Sequence, residues 1–304
     1  MTPRQSRRAR IRLLQERAAP SRHPVICDVG ANPVHVPPYE VLKRLGACTV
    51  VGFEPQKEAF EALVAQAAEN EHYVNAALGA RGPAVLHLYP QDGFSSLYRL
   101  SRAALRWLGQ FEEELDGERT VPVSLQGLDE VAEVPPVDLL KIDVQGAERD
   151  IIASGRAKLA EAVCVIPEMR YFPLYEGEPA MADLDAELRA QGFAFHKFLD
   201  TKSVVLPHSQ SARMYRRANR SQVIDGDVVY LRGLDDPEAL SDDQIKCHAL
   251  FAAAVYDSHD VAIRFLDMLV ARGAIDADVP SDYVDLLPDE LVRRPAAAPA
   301  EAAP

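Results

Sequence analysis

The sequence predicts an α/β protein: a doubly wound, mostly parallel sheet of seven strands with an antiparallel last strand, and helical extensions at both ends. Three observations carry this expectation. From Pro24 to about Gly233, short apolar runs alternate with segments of helical period. Connections of that length call for right-handed crossovers, which build a parallel sheet with helices on both faces. The alternation then stops. Between FAFHKFLDT (193–201) and DVVYLRG (227–233) lies no convincing helix, only SQSARMYRRANRSQ, so these two strands are expected to form an antiparallel hairpin at one sheet edge.

Taken in order, VICDVG (25–30) reads as a buried strand and PYEVLKRLG as a helix with Gly46 just past its end. CTVVGFEP (48–55) is the second strand, followed by KEAFEALVAQAAEN with apolar residues at Phe60, Leu63, Val64 and Ala67. HYVNAALG (72–79) is a third strand and AVLHLYP (84–90) an extra short one. After a polar stretch containing aromatics comes the strand VDLLKIDVQG (137–146), then a helix through Ile151 and Ile152. AVCVIPEMRYF (162–172) is a strand, MADLDAELRAQG a helix, and the two terminal strands close the series. Beyond Gly233, SDDQIKCHALFAAAVY opens on a plausible N-cap at Ser241, and VAIRFLDMLVARG is a second helix ended by Gly273. The Pro/Ala-rich end predicts disorder. The expected division is a basic extension over 1–23, the α/β domain over 24–234, a helical extension over 235–292 and a tail over 293–304.

At 48% hydrophobic and 26% charged residues, the composition is that of an ordinary soluble globular protein. No apolar run is long enough to span a bilayer, and the N-terminus lacks the apolar core of a signal peptide, so a cytoplasmic location is expected. Cys27, Cys48, Cys164 and Cys247 show no paired spacing, which favours buried reduced thiols over zinc or disulfides. The net charge of −13 hides an asymmetry: residues 1–22 hold seven arginines against one acid, Glu16. The rest is more acidic than the whole and repels nucleic-acid phosphates. The basic head is expected to be a solvated helix or frayed end rather than a nucleic-acid or membrane arm.

In an open α/β sheet, ligands sit beyond the carboxyl ends of the strands. The first strand ends in Asp28-Val29-Gly30-Ala31-Asn32, the second in Glu54-Pro55, the third in Asn75-Ala76-Ala77, the fourth in Asp143-Val144-Gln145-Gly146 and the fifth in Glu168. A crevice so acidic suits a cation carrying ribose hydroxyls and disfavours a pyrophosphate. Glu54 is placed to accept both ribose hydroxyl protons, the alternative being a cap on the helix that starts near Lys57. Dinucleotide fingerprints need several glycines so that backbone can approach the pyrophosphate, and this turn holds one, Gly30. S-adenosylmethionine has no phosphate, so the turn favours it over a nicotinamide cofactor. The absence of a Tyr-x-x-x-Lys pair also speaks against an oxidoreductase.

VICDVGAN, VVGFEPQ, NAALG, GFSSL and LLKIDVQGAE, in this order and spacing, resemble the FkbM family of S-adenosylmethionine-dependent methyltransferases over roughly residues 24–205. LLKIDVQGAE (139–148) matches the family's KIDxEG-x-E element with Gln145 where Glu is usual, and Pro33 stands where many members have a further glycine. The resemblance implies a Rossmann-like class I methyltransferase fold and O-methylation of a hydroxyl on a small molecule, glycan or natural-product intermediate. It implies that Asp28, Gly30, Ala31 and Asn32 bind the methionine end of the cofactor and Glu54 the ribose. Asn75 and Ala76 would lie by the adenine, with Phe53 or Pro55 covering its faces, and Ser95 and Ser96 would belong to an active-site loop or to a polar turn.

Asp143 is the candidate nearest the transferred methyl, because methyl transfer to an alcohol needs alignment and removal of a proton. Glu168 or His196 would assist it. These three could instead gather a divalent metal, but no tight ligand spacing supports that reading, and no metal is assigned. His196 alone also reads as a structural strand histidine, and Glu148 as serving the first turn of the next helix. Residues 209–222 bring four arginines near the edge where substrates enter, as a lid or reader of an anionic acceptor, or as a solvated loop. A non-catalytic binding protein on the same fold is the rival from another class.

Overall fold

A computed structural model describes residues 3–31 and 36–293. Its strands are β1 (Val25–Val29), β2 (Thr49–Phe53), β3 (Glu71–Val74), β4 (Ala77–Leu78), β5 (Gly82–Leu88), β6 (Arg119–Gln126), β7 (Leu139–Ile142), β8 (Cys164–Arg170), β9 (Phe193–Phe198), β10 (Lys202–Val204) and β11 (Gln222–Arg232). The main sheet runs β3-β2-β1-β7-β8-β11, parallel from β3 to β8. β11 is antiparallel to β8, and on its outer side it pairs antiparallel with β10 along its first half and with β9 along its second. This is the mostly parallel sheet with a reversed last strand, of class I methyltransferase form, widened by β10.

The two terminal strands form the expected antiparallel pair at the sheet edge, the last strand β11 inside and β9 outside. Burial explains it. Val228, Val229 and Leu231 of β11 are fully buried, whereas β9 at the edge leaves Phe195 and Phe198 exposed.

The helices are α1 (Pro3–Arg17), α2 (Glu40–Arg44), α3 (Lys57–Gln66), α4 (Arg102–Leu108), α5 (Glu148–Ala153), α6 (Met181–Ala190), α7 (Asp242–Ala254), α8 (His259–Ala271) and α9 (Val279–Asp285). The period-two alternation of each strand divides the core between the two faces of the sheet. Ile26, Leu139, Ile166 and Val229 face α1, α2, α7, α8 and α9; Cys27, Leu140, Val165 and Val228 face α5 and α6. The sequence places α7 well: Ser241 accepts a hydrogen bond from the Gln244 amide, closing a capping box. Gly273, at φ +68°, follows α8.

Two regions depart from expectation. The predicted third strand divides into β3 and β4, and β4, β6 and β5 form a separate three-stranded sheet. β6 and α4 occupy what reads as a polar stretch, since β6 is mostly exposed and contains Pro122. The basic head is no frayed end. α1 buries Ile11 and Leu14 against the C-terminal helices, Arg7 pairs with Asp257, and Arg17 binds Asp276, Asp278 and Asp282. The expected tail lies, from residue 294, outside the described residues. No described helix is long and apolar enough to cross a membrane, and the four cysteines are buried and unpaired.

Candidate active site

Two cavities open at the carboxyl ends of the parallel strands, and they share Gly30, Asp143 and Lys202. The first, about 370 Å³, lies between the ends of β1, β2 and β7 and the small sheet, with Phe53, Glu54, Ala76 and Ser95 in its wall. The second, about 620 Å³, lies under α2 and α3 and takes in Asp28, Ala31, Tyr39, Lys141, Asp200 and Asp227.

The turn after β1 separates them. Gly30 adopts φ +83°, and the amides of Gly30 and Ala31 both donate to the Phe53 carbonyl, at 3.2 and 3.1 Å. A methyl on Gly30 would overlap the Asp143 carbonyl oxygen, so this close crossing needs glycine twice over. Glu54 follows the buried end of β2. Its carboxylate accepts from the Gln56 amide at 2.7 Å, and burial raises its pKa. Asn75 holds this corner by donating to the carbonyls of Glu54 and Pro55.

On the other side the strand parity does the sorting. Asp28, Lys141, Asp143, Glu168 and Asp227 fall on the sheet face that also carries Ile26, Leu139, Ile166 and Val229. Asp28 is buried, raised in pKa by that burial, and accepts a hydrogen bond from the Tyr39 hydroxyl. Burial works against the Lys141 charge, but Asp143, Asp227 and Asp28 outweigh it and raise its pKa. Lys141 Nζ lies 3.3 Å from Asp143. Burial opposes ionisation of Asp143 too, yet Lys141, Lys202 and a hydrogen bond from Gln145 hold its pKa below the usual carboxylate range. Burial raises Asp227 to about 6, with Asp143 and Asp200 adding to it.

Gln145 joins these groups. Its amide nitrogen donates to Asp143 at 2.9 Å and to Glu168 at 2.6 Å, while its amide oxygen accepts from Arg170 at 2.7 Å and Tyr175 at 3.1 Å. Glu168 further accepts from Lys202 at 2.7 Å and Arg170 at 3.1 Å, and burial together with the Asp143 charge pushes its pKa up. Beneath the turn, Glu148 accepts from the amides of Val144 and Gly146, and Ser96 donates to the Gln145 carbonyl. The result is an ionised carboxylate with a third of its side-chain surface open, at the junction of two cavities.

Residues 28–195, more than half of the chain, match the model of the methyltransferase FkbM domain. The chain belongs to the FkbM methyltransferase family. Among solved structures it is similar to a precorrin-6Y C5,15-methyltransferase from Geobacter metallireducens GS-15, at 12% identity and TM-score 0.37 over 76% of this chain and 90% of that one. It is similar also to magnesium protoporphyrin IX methyltransferase from Synechocystis PCC 6803, solved with bound S-adenosylmethionine, at 12% identity and TM-score 0.33 over 76% and 79%. No curated protein matches the chain significantly.

Within this FkbM domain the structure gathers Gly30, Phe53, Glu54, Pro55, Ala76, Ser95 and Asp143 around the first cavity. Asp28 and Ala31 are placed differently: both line the second cavity, because Asp28 lies on the opposite strand face from Val29. Asn75 and Ser96 brace the walls through backbone carbonyls. Glu168 lies behind Gln145 and lines neither cavity. His196 is not brought to the site; it lies 2.9 Å from the Ser258 hydroxyl and packs against Tyr256. Asn32 lies outside the described residues. No cluster of three or more His, Cys, Asp or Glu has metal-holding geometry among the described residues. Sequence reasoning passed over Lys141 and Lys202. Lys141 had a signal, a cation inside an otherwise apolar strand; Lys202 had none.

Proposed function

We propose that this FkbM methyltransferase uses S-adenosylmethionine to methylate a hydroxyl of a small molecule, glycan or natural-product intermediate in the cytoplasm. The observation that supports this most is the meeting of two cavities at one ionised carboxylate, Asp143. A methyl donor seated in the first cavity and an acceptor in the second would face each other there.

The residues of the first cavity suit the cofactor. Gly30 lines it with bare backbone, Glu54 offers a carboxylate in its wall for the ribose, and the Ser95 hydroxyl is buried there with no hydrogen-bond partner among the described residues. When bound, S-adenosylmethionine supplies an electrophilic methyl on a cationic sulfur. The chain's part is then to place and deprotonate the acceptor. Asp143 accepts a hydrogen bond from the hydroxyl, aligning the oxygen. As the carbon–oxygen bond forms, that oxygen becomes strongly acidic, so even a carboxylate of depressed pKa can take its proton. Gln145 and Lys141 fix the Asp143 carboxylate in place. A cytoplasmic setting fits four cysteines none of which is placed to pair.

Calorimetry with S-adenosylmethionine tests the first half: we expect binding, weakened about tenfold or more in Glu54→Ala. A screen of hydroxylated acceptors with labelled cofactor tests the second. Asp143→Asn should keep cofactor binding and lose turnover; full turnover in that variant would remove Asp143 from its proposed role. No binding heat with well-folded protein would overturn the enzyme reading in favour of a non-catalytic one.

A further inference from the structure

After β10 the chain projects. Every residue from 207 to 218 is exposed, and from Thr201 to Ser221 there is no acidic residue in a protein of net charge −13. The projection is anchored on the end of α4, where Pro207 packs on Gly109, Gln110 donates to the Val205 carbonyl, and Arg216 donates to Gln110 at 2.6 Å. α4 buries Ala104, Leu105 and Leu108 and turns Arg102, Arg106 and Trp107 outward. The two elements therefore assemble six arginines (102, 106, 213, 216, 217 and 220), none of which has an acidic partner among the described residues. Elsewhere Arg7, Arg17, Arg22, Arg99, Arg170 and Arg272 pair with carboxylates, while Arg4, Arg8, Arg12, Arg119 and Arg264 lack one among the described residues. Three large apolar side chains stand among the unpaired cations: Tyr215 is 88% exposed, Trp107 59% and Met214 44%.

We infer that this surface docks on an anionic lipid bilayer, with the guanidinium groups among headgroup phosphates and Trp107, Met214 and Tyr215 at the acyl boundary. Arginine with aromatic and aliphatic tips is the chemistry that interface selects, one end wet and charged, the other apolar. Shape and charge select the bilayer over a polynucleotide. A nucleic acid runs on past so small a patch and meets the acidic body. A planar membrane touches only what projects, and at physiological salt the body's charges beyond about 8 Å are screened from it. The inference is independent of methyl transfer.

Trp107 is the single tryptophan of the chain, so its emission reports on this surface alone. The full-length protein is titrated with vesicles of phosphatidylglycerol and phosphatidylcholine, and with phosphatidylcholine alone. The expected result is a blue shift and co-sedimentation with the anionic vesicles only, reversed near 1 M salt, where the Debye length falls to about 3 Å. Each Arg→Ala change among 213, 216, 217 and 220 should weaken partitioning about fivefold, and Tyr215→Ser should weaken it without changing the salt dependence. All five side chains are exposed, and an unchanged thermal melt confirms folding. An emission unmoved by anionic vesicles at low salt overturns the proposal. So does vesicle binding that survives the fourfold arginine replacement, or a tighter response to a short oligonucleotide than to vesicles.

Discussion

Gln145 occupies a left-handed backbone conformation, φ +59°, that non-glycine residues seldom adopt, and its amide uses both donors and both acceptor positions. A glutamate there has the same shape but no donors. Gln145→Glu would face two carboxylates, Asp143 and Glu168, with a third. It should cost about 1–3 kcal/mol of stability for the lost donations and lower turnover, read by thermal melting beside an activity assay. An unchanged midpoint would show that the network does not need an amide. Gly30→Ala puts a methyl into the Asp143 carbonyl at φ +83°; we expect at least about 1–3 kcal/mol of destabilisation and weakened cofactor binding, checked by melting and calorimetry. The exchange of Gln for Glu at 145 stands out in the sequence. Its reason does not, because Arg170 and Tyr175 lie 25 and 30 positions away.

α1 is held by two kinds of contact, and magnitude decides between them. Arg17 reaches three aspartates, but each of these is well exposed, so the cluster contributes little and is screened by salt. Leu14 is 1% exposed in the shared core. Leu14→Ala should therefore cost about 2–5 kcal/mol, while Arg17→Ala should make only a small, salt-sensitive change in the same urea titration. A larger loss from Arg17→Ala would reverse that ranking. The basic run of this helix was visible from sequence, but its acidic partners lie some 260 positions on, so it read as a solvated end. The central parallel strands were legible because both faces are buried and the apolar runs are continuous. β4 and β6 were not, since two residues make no pattern and β6 exposes most of its length. The site followed the same rule. Gly30, Glu54 and Asp143 are set by strand ends, whereas the face that Asp28 takes and the distance of His196 depend on packing that no local pattern records.

Across the whole molecule, buried titratable groups set how stability varies with pH. Burial raises Glu148 to about 7 and Asp227 to about 6, and pushes Glu168 upward as well. Unfolded carboxyls titrate near 4. For these three the native state binds protons more tightly, so their contribution is complete below about pH 4 and is lost as pH rises through 6 to 8. His248 works in the opposite sense. It is fully buried, stacks on Phe265, and donates from Nε2 to the Arg232 carbonyl, and burial lowers its pKa to about 3. Its contribution is complete above about pH 6.5 and is lost as pH falls toward 3. Asp185, lowered mainly by Arg189, and Asp278, lowered mainly by Arg17, add to the acid-side loss. Burial raises Asp28, Glu54 and Glu178 as well, and lowers His196 and His259 beside His248. Between about pH 4.5 and 6.5 six raised carboxyls therefore act against three histidines, the carboxyls prevail, and below about 4 they no longer titrate. Thermal midpoints measured from pH 4 to 8 should therefore peak near pH 5 and decline toward neutrality, each titrating proton contributing at most about 1.4 kcal/mol per pH unit. Glu148→Gln should flatten the neutral limb and leave the acid limb in place. A midpoint that climbs steadily to pH 8 would mean that these carboxyls are hydrated and ionised in the native state.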